Sequence, residues 1–136
     1  MLAAHSWSGT VVSEAGTDPK VSALVYVAAR APDANEDFVA NGVQHEKAEV
    51  LYAVQQPTAA TLFGGRTTVA AWQTKPSWYA VSKLDETISP DLERFLANRM
   101  KAHTVELNAG HLSLVSHPGE IADLILAAAG REKQAR

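Results

Sequence analysis

The sequence predicts an α/β fold in which a mostly parallel sheet of about four strands carries helices on its faces. Apolar, β-branched runs alternate with amphipathic helical patterns along the chain, as in a parallel sheet with crossover helices. One run is almost continuously apolar, which is typical of a strand that is covered on both faces. With 136 residues, 46% of them hydrophobic, the chain can bury one core. We therefore treat residues 1–136 as one domain.

The first third of the chain contains two strands around a short helix. The few residues before Ser6 can form a clipped strand. The segment "GTVVSEAG" then predicts a short helix that ends at Gly16, because glycine is common after the last turn of a helix. Val21–Ala28, "VSALVYVA", is the nearly continuous apolar run and predicts a buried strand.

The middle of the chain contains a helix and a strand. His45–Gln56 places Ala48, Leu51 and Tyr52 at helical spacing, and Pro57 stops that helix. Pro76–Ser82, "PSWYAVS", predicts the next strand.

The last part predicts a helix, a short strand and a final helix. "SPDLERFLANRM" opens on a serine N-cap and a proline at the first helical position, followed by an apolar face of Leu92, Phe95, Leu96 and Met100. "TVEL", Thr104–Leu107, predicts a short strand. "PGEIADLILAAAG" begins in the same way at Pro118 and ends at Gly130.

Composition and charge exclude several classes of function. The net charge is −3, and basic residues are mixed with acidic ones, so we expect no nucleic acid and no membrane as a partner. The chain has no cysteine, which excludes disulfides and thiolate metal sites and fits a cytoplasmic location. The histidines show no metal-ligand spacing, so we expect no metal.

A serine near the start of the chain has the surroundings of a nucleophile. Ala4-His5-Ser6-Trp7-Ser8 repeats the small-x-Ser-x-small spacing of a sharp strand-to-helix turn, where bulky flanking side chains would clash. The alternative is an ordinary serine that caps the helix beginning near Gly9.

Two further residues follow strands in the order needed for a catalytic triad. Asp85 comes just after the strand Pro76–Ser82, and His111 comes just after Thr104–Leu107. Because the carboxyl ends of parallel strands meet at one edge of a sheet, Ser6, Asp85 and His111 are predicted to converge there. Asp33, after the buried strand, is an alternative acid, although a turn-forming role suits it better.

The sequence resembles the α/β-hydrolase family, especially small bacterial esterases and cofactor-free perhydrolases. The likeness lies in "HSWSGTVVSEAGTDPKVSALVYVAARAPD", "KPSWYAVSKLDETISPDLERFLANRM" and "AGHLSLVSHPGEIADLILAAAG". It implies that Ser6 is the nucleophile, Asp85 the acid and His111 the base, and that the Trp7 N–H is an oxyanion-hole donor. It also implies that no cofactor is needed, and that residues 35–71 form a short helical lid inserted between strands.

The family normally has a whole N-terminal half before the nucleophile, whereas only Met1–His5 precede Ser6 here. The expectation is a truncated α/β-hydrolase domain whose activity is impaired and whose open sheet edge favours self-association. Two hypotheses follow. The first is a serine hydrolase that acts on a small ester or related acyl substrate. The second is a non-catalytic remnant that serves as a binding or assembly fragment.

Overall fold

The computed structural model describes residues 1–36 and 65–131. Their strands form one four-stranded sheet in the order β1-β2-β3-β4, and each neighbouring pair is parallel. The strands are β1 (Leu2–Ser6), β2 (Leu24–Ala29), β3 (Ser77–Ser82) and β4 (His103–Leu107). The helices are α1 (Ser8–Ala15), α2 (Pro90–Arg99), α3 (Ser113–Ser116) and α4 (Pro118–Ala128), with a 3₁₀ turn at Ala71–Gln73. The predicted α/β fold class is confirmed.

Helices cover both faces of the sheet. On one face, α1, α2 and the 3₁₀ turn pack against alternate residues of the strands, among them Tyr26 and Tyr79. On the other face, α4 packs through Ile121 and Leu124 against the remaining alternate residues. Every residue of β2 is buried, because the two layers enclose this strand completely.

The strands lie close to their predicted positions, with one informative difference. β2 begins at Leu24 and not at Val21, since the backbone N–H of Val21 donates to the Asp18 carbonyl in a turn. The short helix ends where glycine was predicted, but Gly16 has a right-handed φ of −66°. Glycine is needed there because no room exists for a side chain: a Cβ would lie 2.7 Å from the Val12 carbonyl oxygen.

The buried face of α2 was predicted correctly for Leu92, Leu96 and Met100 and wrongly for Phe95. The predicted face included Phe95, which is 56% exposed and lies against the Arg99 guanidinium. Glu93 points inward instead and is fully buried. The backbone N–H of Ser82 donates to the Glu93 carboxyl group at 2.9 Å, so the buried face of the helix includes an acid that apolar spacing does not predict.

The lid predicted for residues 35–71 falls largely outside the described residues, as does the predicted helix His45–Gln56. The two ends of that segment are described. Asn35 donates its backbone N–H to the Thr67 carbonyl, and Thr67 donates to the Glu36 carbonyl. Within the described ranges, no helix is long and apolar enough to cross a membrane. A cytoplasmic location stays a prediction.

Candidate active site

Ser6 lies on the sharp turn between β1 and α1. Its φ is +55°, which is a strained conformation for a residue with a side chain. Ser8 stabilises the turn in both directions: its hydroxyl donates to the His5 carbonyl at 2.6 Å and accepts the His5 N–H at 3.0 Å. The alternative in which Ser6 caps the helix does not apply, since Trp7 is the N-cap residue and makes no side-chain cap.

A glycine lets the turn sit tightly on the sheet. A Cβ at Gly9 would lie 1.9 Å from the Arg30 carbonyl oxygen, so only glycine fits where α1 crosses the end of β2. The Arg30 N–H in turn donates to the Ser6 carbonyl at 3.1 Å. The end of β2 therefore supports the backbone of Ser6 directly.

Asp85 lies in the loop after β3 and has a buried carboxyl group. One oxygen, Oδ1, accepts the backbone N–H groups of Thr87 at 2.7 Å and Ile88 at 2.9 Å. Burial by itself raises the pKa of Asp85, but hydrogen bonds from His111 and from these N–H groups outweigh it, so the pKa lies below its ordinary value. Asp85 is therefore ionised at neutral pH, and Oδ2 is directed at His111.

His111 joins the other two side chains. Its Nδ1 lies 2.7 Å from Asp85 Oδ2, and its Nε2 lies 2.9 Å from Ser6 Oγ. Because an ionised carboxylate only accepts, Nδ1 carries the proton, and Nε2 is the nitrogen that faces the serine hydroxyl. The loops after β3 and β4 are also tied together: Lys83 and Leu84 donate their N–H groups to the Leu107 and Ala109 carbonyls.

A second histidine supports the loop that carries His111. His5 Nε2 lies 2.9 Å from the His111 carbonyl oxygen, so this nitrogen carries a proton and donates. Burial lowers the pKa of His5, and the hydrogen bond to the His111 carbonyl opposes that effect only in part. A neutral His5 therefore connects the turn of the serine to the loop of the histidine.

Asp33, the alternative acid, faces other groups. Its Oδ1 accepts from the Gln73 side-chain amide and from the Ala34 N–H, both at 2.8 Å. Of the remaining histidines, His103 begins β4, whereas His117 is the N-cap of α4. His45 lies outside the described residues. Residues 1–36 and 65–131 contain no cluster of potential ligands that could hold a metal ion.

Trp7 follows the serine and lines a cavity of about 440 Å³ with Thr10, Val11 and the segment 65–68. Its backbone N–H lies at the start of α1, the position assigned from the sequence to the oxyanion hole. A larger cavity of about 840 Å³ lies between β4 and α4, and Ser6, Asp85 and His111 are all absent from its lining. The lining of the cavity beside Trp7 does not include these three residues either, so neither cavity is assigned to substrate.

A family model described as "Alpha/beta hydrolase family" matches residues 1–124. The chain belongs to the alpha/beta hydrolase family. The predicted family is thereby confirmed, while the esterase or perhydrolase subtype stays a prediction. A search of curated proteins gave no match.

Solved structures show the alpha/beta hydrolase fold independently. A pyrethroid hydrolase from Sphingobium faniae JZ-2 is 19% identical, with a TM-score of 0.73, over 95% of this chain and 70% of that one. A pyrethroid hydrolase solved with BIF is 18% identical, with a TM-score of 0.74, over 95% of this chain and 69% of that one. A hydrolase from Pseudomonas aeruginosa PA01 is 18% identical, with a TM-score of 0.57, over 94% and 65%. At these identities the likeness concerns the fold.

Sequence reasoning missed two contributors to the site. Ser8 was noted for its small size, but its hydroxyl bonds the turn together. Glu93 was overlooked because it stands among apolar residues of a predicted amphipathic helix. Its spacing carried a signal, since Glu93, Leu96, Ala97 and Met100 follow the i, i+3, i+4, i+7 pattern of a buried face.

Proposed function

We propose that this alpha/beta hydrolase is a serine hydrolase that acts on a small ester or related acyl substrate. The observation that carries the proposal is the unbroken hydrogen-bonded series from Ser6 Oγ through His111 to Asp85. The strained φ of Ser6 and the buried carboxylate of Asp85 support the same roles.

In the proposed reaction, Ser6 Oγ attacks the acyl carbon while His111 Nε2 takes the hydroxyl proton. Asp85 holds the Nδ1 proton and stabilises the imidazolium that forms. The protonated Nε2 then passes its proton to the departing alkoxide, which leaves an acyl-serine. A water molecule, deprotonated by the same nitrogen, hydrolyses that ester and restores Ser6.

Among residues 1–36 and 65–131, we assign one donor to the oxyanion, the backbone N–H of Trp7. One oxyanion-hole donor is worth about 2.7–4 kcal/mol of transition-state stabilisation. We therefore expect the 136-residue chain to turn over a small activated ester slowly unless a second donor is present. Covalent labelling of the serine is a more sensitive test than turnover.

The proposal is tested with a fluorophosphonate probe, which phosphonylates an activated serine. We expect labelling of the wild-type protein and none of Ser6→Ala. Ser116→Ala is a matched control, because Ser116 Oγ lies 2.9 Å from His117 Nδ1 in an exposed serine–histidine pair. That control should label like the wild type.

The rival function is a non-catalytic binding or assembly fragment. It predicts a folded protein that the probe does not label, or labels equally with and without the Ser6 hydroxyl. Either result would overturn the serine hydrolase proposal.

A further inference from the structure

A second carboxyl group interacts with that of Asp85. Glu93, on α2, is fully buried, although glutamate is almost never buried without a partner. Its Oε2 accepts the backbone N–H of Ser82 at 2.9 Å. That bond ties the helix to the end of β3, where the chain turns toward Asp85.

The other oxygen of Glu93, Oε1, is buried and has no hydrogen-bond donor of normal geometry among the described residues. The Glu93 side chain interacts with Asp85, whose carboxylate cannot donate. Two buried carboxylates side by side would repel each other strongly. A proton on Oε1 removes both problems, since it supplies a donor and removes one charge.

We propose that Glu93 is a positioning residue of the candidate triad: its carboxyl group, as the neutral acid, donates a hydrogen bond from Oε1 to Asp85 and fixes that carboxylate against His111. The inference rests on the proposed function, because it assigns a role within the same triad. The series then runs from Ser6 through His111 and Asp85 to Glu93, and ends at the Ser82 backbone.

The electrostatic surroundings agree with a neutral Glu93. Burial and the neighbouring Asp85 raise the pKa of Glu93 to about 9, although the Ser82 N–H lowers it. The other groups that act on it are Arg94 on its own helix, which lowers its pKa, and Tyr79 on β3. The pKa of Tyr79 is raised well above 10 by burial and by the two acids, while Arg30 at the end of β2 opposes this. Tyr79 therefore stays neutral in the range where Glu93 ionises.

A neutral Glu93 has a consequence for the pH profile. Once Glu93 loses its proton, it no longer donates to Asp85, and its charge pushes the Asp85 carboxylate out of position. Phosphonylation of Ser6 should then slow on the alkaline side of the profile. A glutamine at this position also donates a hydrogen bond but cannot ionise.

The test measures the rate of Ser6 phosphonylation by a fluorophosphonate from pH 6 to 10.5, for the wild type, Glu93→Gln, Glu93→Met and Glu120→Gln. Glu120 is exposed and serves as the control. At pH 7, Glu93→Met should be slower by about tenfold or more, as expected for a lost hydrogen bond to a charged group. Glu93→Gln should recover most of that loss and should lack the alkaline decline seen in the wild type and in Glu120→Gln.

Three results would overturn the inference: Glu93→Met labels like the wild type, Glu93→Gln is as slow as Glu93→Met, or both Glu93→Gln and the wild type decline alike at high pH. Circular dichroism checks folding. If Glu93→Met does not fold, the comparison of Glu93→Gln with the wild type decides alone. A wild-type protein that is not labelled at Ser6 refutes the proposed function itself, and the positioning role with it.

Discussion

The chain leaves β2 and β3 at the same edge of the sheet, and each exit carries an aspartate, yet the two loops do different things. The loop after β2 is used for packing: Arg99 donates to the Ala31 carbonyl, Trp72 donates to the Pro32 carbonyl, and Asp33 accepts from Gln73. The loop after β3 is bonded to the loop after β4, and its aspartate meets His111. A position at the end of a strand brings an aspartate to this edge of the sheet, but only the loop that is bonded to the loop after β4 places its carboxyl group against His111.

The largest expected effect is on the rate of Ser6 labelling when each of the two aspartates is replaced in turn. Asp85→Asn removes the charge that orients and stabilises the His111 ring, so phosphonylation of Ser6 should slow by roughly 10³–10⁴, the loss typical of a triad without its carboxylate. Asp33→Asn keeps the acceptor for Gln73 and should label at the wild-type rate. A large loss in Asp33→Asn together with a small one in Asp85→Asn would reverse the assignment.

The dependence of the unfolding free energy on pH tests whether Glu93 is neutral in the folded protein. The pKa of Glu93 is about 9 in the folded protein, against an ordinary value of 4.5. The stabilisation from its neutral form is therefore complete below pH 4.5 and is lost as the pH rises toward 9. Glu93→Gln cannot ionise and does not lose this stabilisation. The unfolding free energy of Glu93→Gln should therefore rise relative to that of the wild type by up to about 1.4 kcal/mol per pH unit in that window.

Urea unfolding at pH 5, 7 and 8 checks this expectation. A difference between the two proteins that stays constant with pH would mean that Glu93 is ionised in the folded state.

The packing role of the loop after β2 is tested at Gly9. A Cβ there meets the Arg30 carbonyl oxygen at 1.9 Å, so Gly9→Ala should lower the unfolding free energy by about 1–3 kcal/mol, as overpacking does. Gly119→Ala in α4 is the matched control, because nothing lies within 4 Å of its added Cβ. The control should be neutral or slightly stabilising. Equal stabilities of the two variants would show that α1 can move off β2.

The smallest expected effect concerns the lateral edge of the sheet at β1. Among the described strands, β1 pairs only with β2, and Ala3 in this strand is exposed. We expect the chain to self-associate through this edge, and Ala3→Lys to weaken association by about tenfold, or about 1.4 kcal/mol. Sedimentation velocity over a range of concentrations measures this. Val115→Lys, at an exposed site on α3, is the control, and a similar shift in both variants would argue against β1 as the contact.

The sequence predicted the strands, most of the helices and the residues of the candidate triad, because apolar periodicity and turn residues are local signals. It favoured Asp85 as the acid but kept Asp33 as an alternative, since the choice depends on backbone bonds between loops that are distant along the chain. It also placed Phe95 on the buried face of α2 and overlooked Glu93. Apolar spacing carries no information about a buried acid whose partners, Ser82 and Asp85, lie on another element.

The most direct test of the serine hydrolase proposal is to locate the phosphonyl group after reaction with the probe. Intact mass followed by tandem mass spectrometry of peptides shows how many adducts form and which residue carries each. We expect one adduct, on Ser6, with none in Ser6→Ala. An adduct on Ser116 or on any other residue, with Ser6 unmodified, would contradict the account.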